Sequence, residues 1–267
     1  IDYGDFKCFT GIFQNQHAMS VIMAICIMVV LYNYKSGTFK DWKVKLYNIF
    51  LLGLGVYAMY LGFARTGWVM CVIGICILFF PKDLQAKQWM RIASLCIVLG
   101  SVFAYMMVSN KAFHDRILDI NSATGKKKEM GSGRGTLIAN AIELYTSGNY
   151  FELAFGYSMV GLKEYERQKI GKPLFAHNGF VTLLATDGAI GLLMEILAML
   201  LLLRFIHHRK NCPTYRLAVS SWVMNLSFQL TQGGHIFHYD ILYAMIYCLL
   251  QFEYEEMNAE TNQQRVI

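Results

Sequence analysis

The stretch GFVTLLATDGAIGLLMEILAMLLLL, residues 179–203, is an almost continuous apolar run. A helix needs roughly 20 mostly apolar residues to cross about 30 Å of hydrocarbon, and this run meets that requirement. Its charged side chains are Asp187 and Glu195. The stretch therefore predicts a transmembrane helix.

Comparable runs recur along the chain, near residues 18–34, 46–64, 66–80, 91–108, 217–232 and 235–252. The chain is 55% hydrophobic and 16% charged, with a mean hydropathy of +0.37, which is too apolar for a soluble domain of this size. Together the runs predict an all-α, polytopic bundle of about seven transmembrane helices, forming a single membrane domain over residues 1–267.

The net charge of +6 follows the predicted sidedness of the membrane rather than a nucleic-acid surface. If residues 1–17 lie outside, the short outer segments hold only Lys7 and Arg65. Residues 109–178 then form a large extracytoplasmic loop, and residues 253–267 form a solvated cytoplasmic tail. The predicted inner loops contain eleven basic residues: Lys35, Lys40, Lys43, Lys45, Lys82, Lys87, Arg91, Arg204, Arg209, Lys210 and Arg216.

The chain begins at Ile1 with outside-type polar sequence and shows no basic leader or cleavage site, so we expect it to be the C-terminal part of a longer protein. Signatures of soluble enzymes are missing from the sequence, including phosphate loops, HExxH, GxSxG and the Rossmann fingerprint. We therefore predict no nucleotide chemistry and no cofactor.

The outer loop is predicted to contain a short amphipathic helix over residues 136–145, with Arg134 at its start. Such a helix would lie on the membrane surface or over a cavity. The loop ends at Asn178, a predicted N-cap for the span that follows, which puts His177 at the outer mouth of that span.

The predicted topology brings a set of polar side chains to the outer face. A guanidinium fork suits phosphate, although an interfacial anchor is an equally open reading for Arg65. His177 can accept a proton near neutral pH or simply bond the backbone. The set comprises Arg65, Arg134, His177, Asp187, His235, His238 and Asp240.

Asp187 lies about 13 Å into its span at 1.5 Å per residue, where it needs a partner. It would orient His177 or make a structural hydrogen bond. The span at 217–232 carries a polar stripe that either bonds other helices or lines a head-group cavity, formed by Ser221, Asn225, Gln229 and Gln232. The two histidines and Asp240 match a metal site only loosely, and we predict no metal.

Residues 176–193, AHNGFVTLLATDGAIGLL, resemble the signature of the bacterial O-antigen ligase and O-antigen polymerase superfamily, with His177-Asn178 followed at the family's spacing by Gly188 and Gly191. FARTGWVM at 63–70 resembles the family's Arg-Thr-Gly-Trp segment. GRGTLIANAIELYTSGNYFELAFGYS at 133–158 resembles its large-loop segment, with an early Arg and a later Gly. The match at 11–20 is weaker, and no role is carried over to Gln16 or His17.

The resemblance implies a metal-independent, inverting glycosyltransferase in the bacterial inner membrane, acting at its periplasmic face. The donor would be a glycan on undecaprenyl diphosphate. The acceptor would be another lipid-linked repeat unit, as in O-antigen, capsule or exopolysaccharide polymerases, or lipid A core, as in ligases. His177 would act on the attacking hydroxyl, and Arg65 and Arg134 would neutralise the diphosphate. We place four further residues around the substrate: Asn178, Asp187, Gln229 and Gln232.

A transporter or flippase for a lipid-linked or anionic solute is the competing hypothesis, in which the outer arginines only attract the substrate. Inverted repeats or helices broken by Gly or Pro would favour it, and neither is evident in the sequence. A membrane scaffold or sensor is a third hypothesis.

Overall fold

The computed structural model describes residues 2–3, 6–7, 16–37, 41–62, 64–79, 101, 105, 108–109, 134–231 and 240–266. Over these residues the fold is helical, as predicted, apart from one short antiparallel ladder between β1 (Asp2–Tyr3) and β2 (Phe6–Lys7). The chain divides into two compact units, Ile1–Ser132 and Gly133–Ile267.

The first unit has three apolar helices within its described residues. Two contacts show that helices α1 and α3 run parallel. The start of α3 lies against the start of α1, and the ends of the two helices also meet. A methyl group on Gly67 would lie 2.5 Å from the Cβ of Ser20, and Lys35 Nζ donates to the carbonyl of Leu78. The helices are α1 (Gln16–Lys35), α2 (Trp42–Gly62) and α3 (Arg65–Phe79).

The second unit is organised around its longest helix, α7, which contacts α4, α5, α6 and α8, while α9 packs on α8. Three short helices come from the predicted outer loop and three longer ones from the predicted spans. They are α4 (Arg134–Thr146), α5 (Tyr150–Phe155), α6 (Ser158–Ile170), α7 (Gly179–His208), α8 (Tyr215–Thr231) and α9 (Asp240–Val266).

Two of the described helices, α2 and α7, are long and apolar enough to cross a membrane, and Met19–Lys35 of α1 and α3 are shorter apolar helices. In each of α2 and α7, only 11% of the most apolar stretch of 18 residues is buried, so the apolar side chains of these helices face outward. This surface suits lipid, not water. The count of seven spans stays a prediction, and most of the predicted span at 91–108 lies outside the described residues.

The predicted amphipathic helix is confirmed as α4, and its apolar face is buried against protein. Leu137, Ala141 and Leu144 are buried, and the last two join a cluster with Leu162 of α6 and Ala185 of α7. This face therefore covers the first turns of α7 and does not rest on lipid. The helices α4, α5 and α6 form a small packed layer over the start of α7, which we call the loop layer.

The first residue of the predicted cytoplasmic tail, Glu253, is bonded to another part of the second unit, and the tail itself stays a prediction. Helix α9 continues to Val266, and Glu253 accepts hydrogen bonds from the backbone N–H (2.9 Å) and hydroxyl of Thr214, just before α8. Arg209, at the end of α7, donates to the side chain of Gln251 (2.8 Å from Nε). A carboxylate at a helix N-terminus is favourable, so these contacts tie α9 to the loop between α7 and α8.

A carboxylate is buried inside the loop layer. Glu166 is fully buried, and its Oε2 accepts a hydrogen bond from Asn140 Nδ2 at 2.9 Å. Burial raises the pKa of Glu166, and the bond from Asn140 only partly opposes that effect. The two residues lie on the otherwise apolar faces of α6 and α4, four residues after Leu162 and three after Leu137.

Glu166 should make the loop layer more stable at lower pH. A carboxyl whose pKa is raised by folding binds its proton more tightly in the folded state. Stability is then greatest below the unfolded pKa of about 4.3 and falls as pH rises through the folded value. In thermal unfolding between about pH 4.5 and 8, Glu166→Gln should remove this decline, whereas Glu164→Gln at an exposed position should keep it. An identical decline in both variants would contradict the assignment.

Candidate active site

The predicted N-cap of α7 is confirmed and also joins two helices. Asn178 has extended backbone angles, and its Oδ1 accepts a hydrogen bond from Val181 N at 3.1 Å. The other half of the same amide, Nδ2, donates to the carbonyl of Leu230 at 3.2 Å. One side chain therefore satisfies a donor at the start of α7 and an acceptor at the end of α8.

Arg134 reaches the same place from the loop layer. Its Nη1 donates to the carbonyl of Thr231 at 3.2 Å, so Arg134 and Asn178 bind consecutive carbonyls. The last carbonyls of a helix carry partial negative charge, which a guanidinium stabilises. We call this meeting point of Arg134, Asn178, Leu230 and Thr231 the α8 junction. It brings two of the sequence-predicted site residues together.

His177 immediately precedes the junction in a strained conformation. Its φ is +51°, one of two positive values among the described non-glycine residues, and its half-buried ring lies 5.1 Å from the ring of Phe175. A non-glycine residue in this region costs of the order of 1–3 kcal/mol, and such strain concentrates at functional sites. The surrounding structure thus holds the backbone of His177 in this conformation at an energetic cost.

Gln229 is packed against the first residue of α7. Its side chain is 1% exposed, and within the described part of the chain neither Oε1 nor Nε2 has a hydrogen-bond partner. A methyl group on Gly179 would lie 2.0 Å from Oε1. The buried hydroxyl of Thr182 likewise has no partner among these residues. A buried amide without a partner is costly, and here it adjoins the junction.

The start of α7 is separated from its remainder by a break at Gly188, where φ is +70° and ψ is −169°. Gly156, at the end of α5, has nearly the same angles, in a region that essentially only glycine occupies. The two backbones touch: a methyl group on Gly188 would lie 2.4 Å from the Ala154 carbonyl, and one on Gly156 would lie 2.3 Å from the Thr186 carbonyl carbon. Tyr157 N also donates to Ala185 O at 2.9 Å. We call this contact the glycine crossing.

Asp187 lies at the glycine crossing, next to the break in α7. This residue is exposed beside the break and accepts a hydrogen bond from Thr186 Oγ1 at 2.5 Å. A methyl group on Gly191 would lie 2.4 Å from the Asp187 Cβ, which accounts for the second glycine of the motif. The structural hydrogen bond is therefore present, whereas a role toward His177 or substrate stays a prediction.

For the remaining candidates, a place at the site stays a prediction. Arg65 is half-buried at the start of α3 in the first unit, so its convergence with Arg134 and His177 stays a prediction. Gln232, His235 and His238 lie outside the described residues, and Asp240 begins α9. Over the described ranges there is no group of His, Cys, Asp or Glu side chains suited to a metal ion.

A family model described as O-antigen ligase matches residues 49–196. The chain belongs to this family. The O-antigen ligase match contains Arg65, Arg134, His177, Asn178 and Asp187, together with both glycines of the crossing. No curated protein and no solved structure matches the chain.

Membership in the O-antigen ligase family bears out the resemblance and assigns a membrane glycosyl-transfer activity of the ligase or polymerase type. Gln229 lies outside the matched residues. Thr182 and the buried pair Glu166–Asn140 were not among the residues predicted from the sequence. Helical spacing held a signal for that pair, because each residue falls on an apolar face.

The glycine crossing predicts unequal costs for glycine substitutions. Gly188→Ala should destabilise the protein by at least about 3 kcal/mol, because it combines a φ/ψ pair that essentially only glycine adopts with a backbone clash. Gly171→Ala, also at positive φ but in open space, should cost only about 1 kcal/mol. Thermal unfolding in detergent measures both, and equal costs would mean that the crossing is not tightly packed.

The two bonds of Asn178 can be separated by substitution. Asn178→Ala removes both and should cost about 1–2 kcal/mol. Asn178→Asp keeps the cap on α7 but replaces the donor to Leu230 with a carboxylate, so it should rescue only part of the loss. Full rescue by Asp in unfolding measurements would show that the bond to α8 contributes nothing.

Proposed function

We propose that this protein transfers a glycan from undecaprenyl diphosphate to a sugar hydroxyl at the outer face of the bacterial inner membrane. The acceptor is either a lipid-linked repeat unit or lipid A core. The observation that carries the proposal is the α8 junction, where Arg134 meets Asn178, the residue that follows His177, in a member of the O-antigen ligase family.

His177 is the proposed base. In this mechanism an imidazole nitrogen of His177 accepts the proton of the acceptor hydroxyl. At the same time the oxygen of that hydroxyl attacks the anomeric carbon of the donor sugar. The bond from that carbon to the diphosphate oxygen breaks in the same displacement, which inverts the anomeric centre. The strained backbone conformation of His177 supports this role, because such strain concentrates at functional sites.

Arg134 and Arg65 are proposed to neutralise the departing diphosphate. Arg134 is a fork donor whose Nη1 is anchored on Thr231, and bidentate guanidinium contacts suit phosphate oxygens. Negative charge grows on the leaving group during transfer, so fixed positive charge lowers the barrier. A lipid diphosphate with its charge neutralised leaves readily, so the proposed chemistry needs no metal.

Four polar residues complete the proposed site. Asn178 aligns His177 through its two helix contacts, and the Gln229 amide beside Gly179 is a candidate partner for a polar group at the start of α7. Asp187 and Gln232 remain candidate sugar contacts. For Asp187 this is supported by its exposure beside the break.

The proposal is tested by glycan transfer from a lipid-linked donor, measured with full-length protein in membranes. His177→Asn is the sharp variant, because Asn tolerates a positive φ but cannot take up a proton near neutral pH. We expect a loss of about 10²–10⁴-fold. Arg134→Ala should lose about 10²–10³-fold.

Arg167→Ala is the matched control, because this exposed arginine belongs to the same loop layer and pairs with Glu164 at 2.6 Å. It should transfer glycan at the wild-type rate. Wild-type rates in both His177→Asn and Arg134→Ala, with normal expression, would overturn the proposed mechanism.

The break in α7 is the one observation that favours the transporter hypothesis, since broken helices are common in transporters. In transporters, however, the freed backbone groups bind solute. Here the Ala185 carbonyl accepts a bond from Tyr157 N, and the backbone of Gly156 fills the break. Glycosidic bond formation in reconstituted vesicles without an ion gradient separates the two, because a transporter would move the lipid-linked solute without joining sugars.

A further inference from the structure

The helix α5 exposes an aromatic surface that the proposed mechanism does not use. Tyr150 is 93% exposed, Phe151 is 70% exposed and Phe155 is 54% exposed. The rings of Phe151 and Phe155 lie 4.9 Å apart between centroids. Three large exposed aromatic side chains on a helix of six residues are unusual for a surface that faces water, and they point to an interaction surface.

The stretch of chain that carries this surface has little charge. Between Leu144 and Leu162 the one charged residue is Glu152. Its carboxylate is already engaged, because Oε2 accepts bonds from Asn149 N at 2.8 Å and from the hydroxyl of Tyr157 at 3.1 Å. The charge of Glu152 is thus used within the N-terminal cap of α5. The aromatic face is left with an apolar character.

The glycine crossing fixes where this face lies along α7. The end of α5 touches α7 at Gly188, and residues 189–208 continue the helix beyond the break. The apolar part of α7 ends at Leu203, because Arg204 follows it. The 20 residues before that point, 184–203, cover about 30 Å at 1.5 Å per residue, which equals the thickness of the hydrocarbon layer. Beyond the break the exposed side chains of this segment are apolar, as Ile190, Leu193 and Met194 show. The boundary of the hydrocarbon therefore falls within about one turn of the break, beside α5.

From this placement we propose that α5 is a membrane wedge, in which Tyr150, Phe151 and Phe155 insert into the interface of the outer leaflet. Tyr is enriched at this depth because its ring is apolar while its hydroxyl reaches water, and Phe is typical of the apolar face of helices that lie in the interface. The loop layer is then anchored in the membrane it covers.

The test places a tryptophan on the wedge in full-length protein. Phe151→Trp and Phe155→Trp are reconstituted into vesicles of phosphatidylethanolamine and phosphatidylglycerol, with or without brominated acyl chains. Gln168→Trp, at an exposed position on α6, is the matched control. Emission is measured as the difference from the wild-type protein, which already contains Trp42, Trp68, Trp89 and Trp222.

We expect the added tryptophans on α5 to emit at shorter wavelength and to lose most of their emission in brominated vesicles, whereas Gln168→Trp is quenched by aqueous acrylamide instead. Quenching of both α5 variants by acrylamide alone would mean that the face lies in water. Quenching by neither agent would mean that another part of the protein covers it. Either result would overturn the wedge, and neither depends on whether the protein transfers glycan.

Discussion

The contact between Gly156 and Gly188 is the constraint on which the rest of the second unit depends. Two backbones approach so closely that neither position has room for a β-carbon, and both adopt angles that favour glycine. The contact breaks α7 and satisfies the carbonyl of Ala185 from the loop. A break in an apolar helix is better tolerated where such bonds are replaced.

The glycine crossing also sets the position of the candidate site. Because α5 is fixed on α7, the neighbouring helices α4 and α6 are held over the first turns of α7, where they bury Ala141, Leu144 and Leu162. Arg134 stands at the start of α4 and thereby reaches the end of α8. The last carbonyls of α8 bind both Arg134 and Asn178, so a helix end with partial negative charge organises the basic and polar residues around it.

The proposed glycan transfer depends on how the loop layer holds His177. His177 is held at positive φ between the packed Ala176 and the N-cap Asn178, and its strain is offset by the burial of the loop layer. The proposed membrane wedge adds a second support for the same layer, since aromatic side chains at the interface would resist its movement away from the bilayer. A loop that covers a lipid-linked substrate has to stay at the depth where the diphosphate lies.

The sequence by itself determined the helical class, the amphipathic helix α4, the N-cap at Asn178 and the family, because these depend on local periodicity, capping chemistry and motif spacing. It also indicated that Gly188 and Gly191 matter. Only the tertiary structure decided why: Gly188 meets Gly156 from a distant segment, and Gly191 makes room for Asp187. The pairing of Arg134 with Thr231 and of Glu166 with Asn140 was equally beyond the sequence, because contacts between residues far apart in the chain depend on how the helices pack.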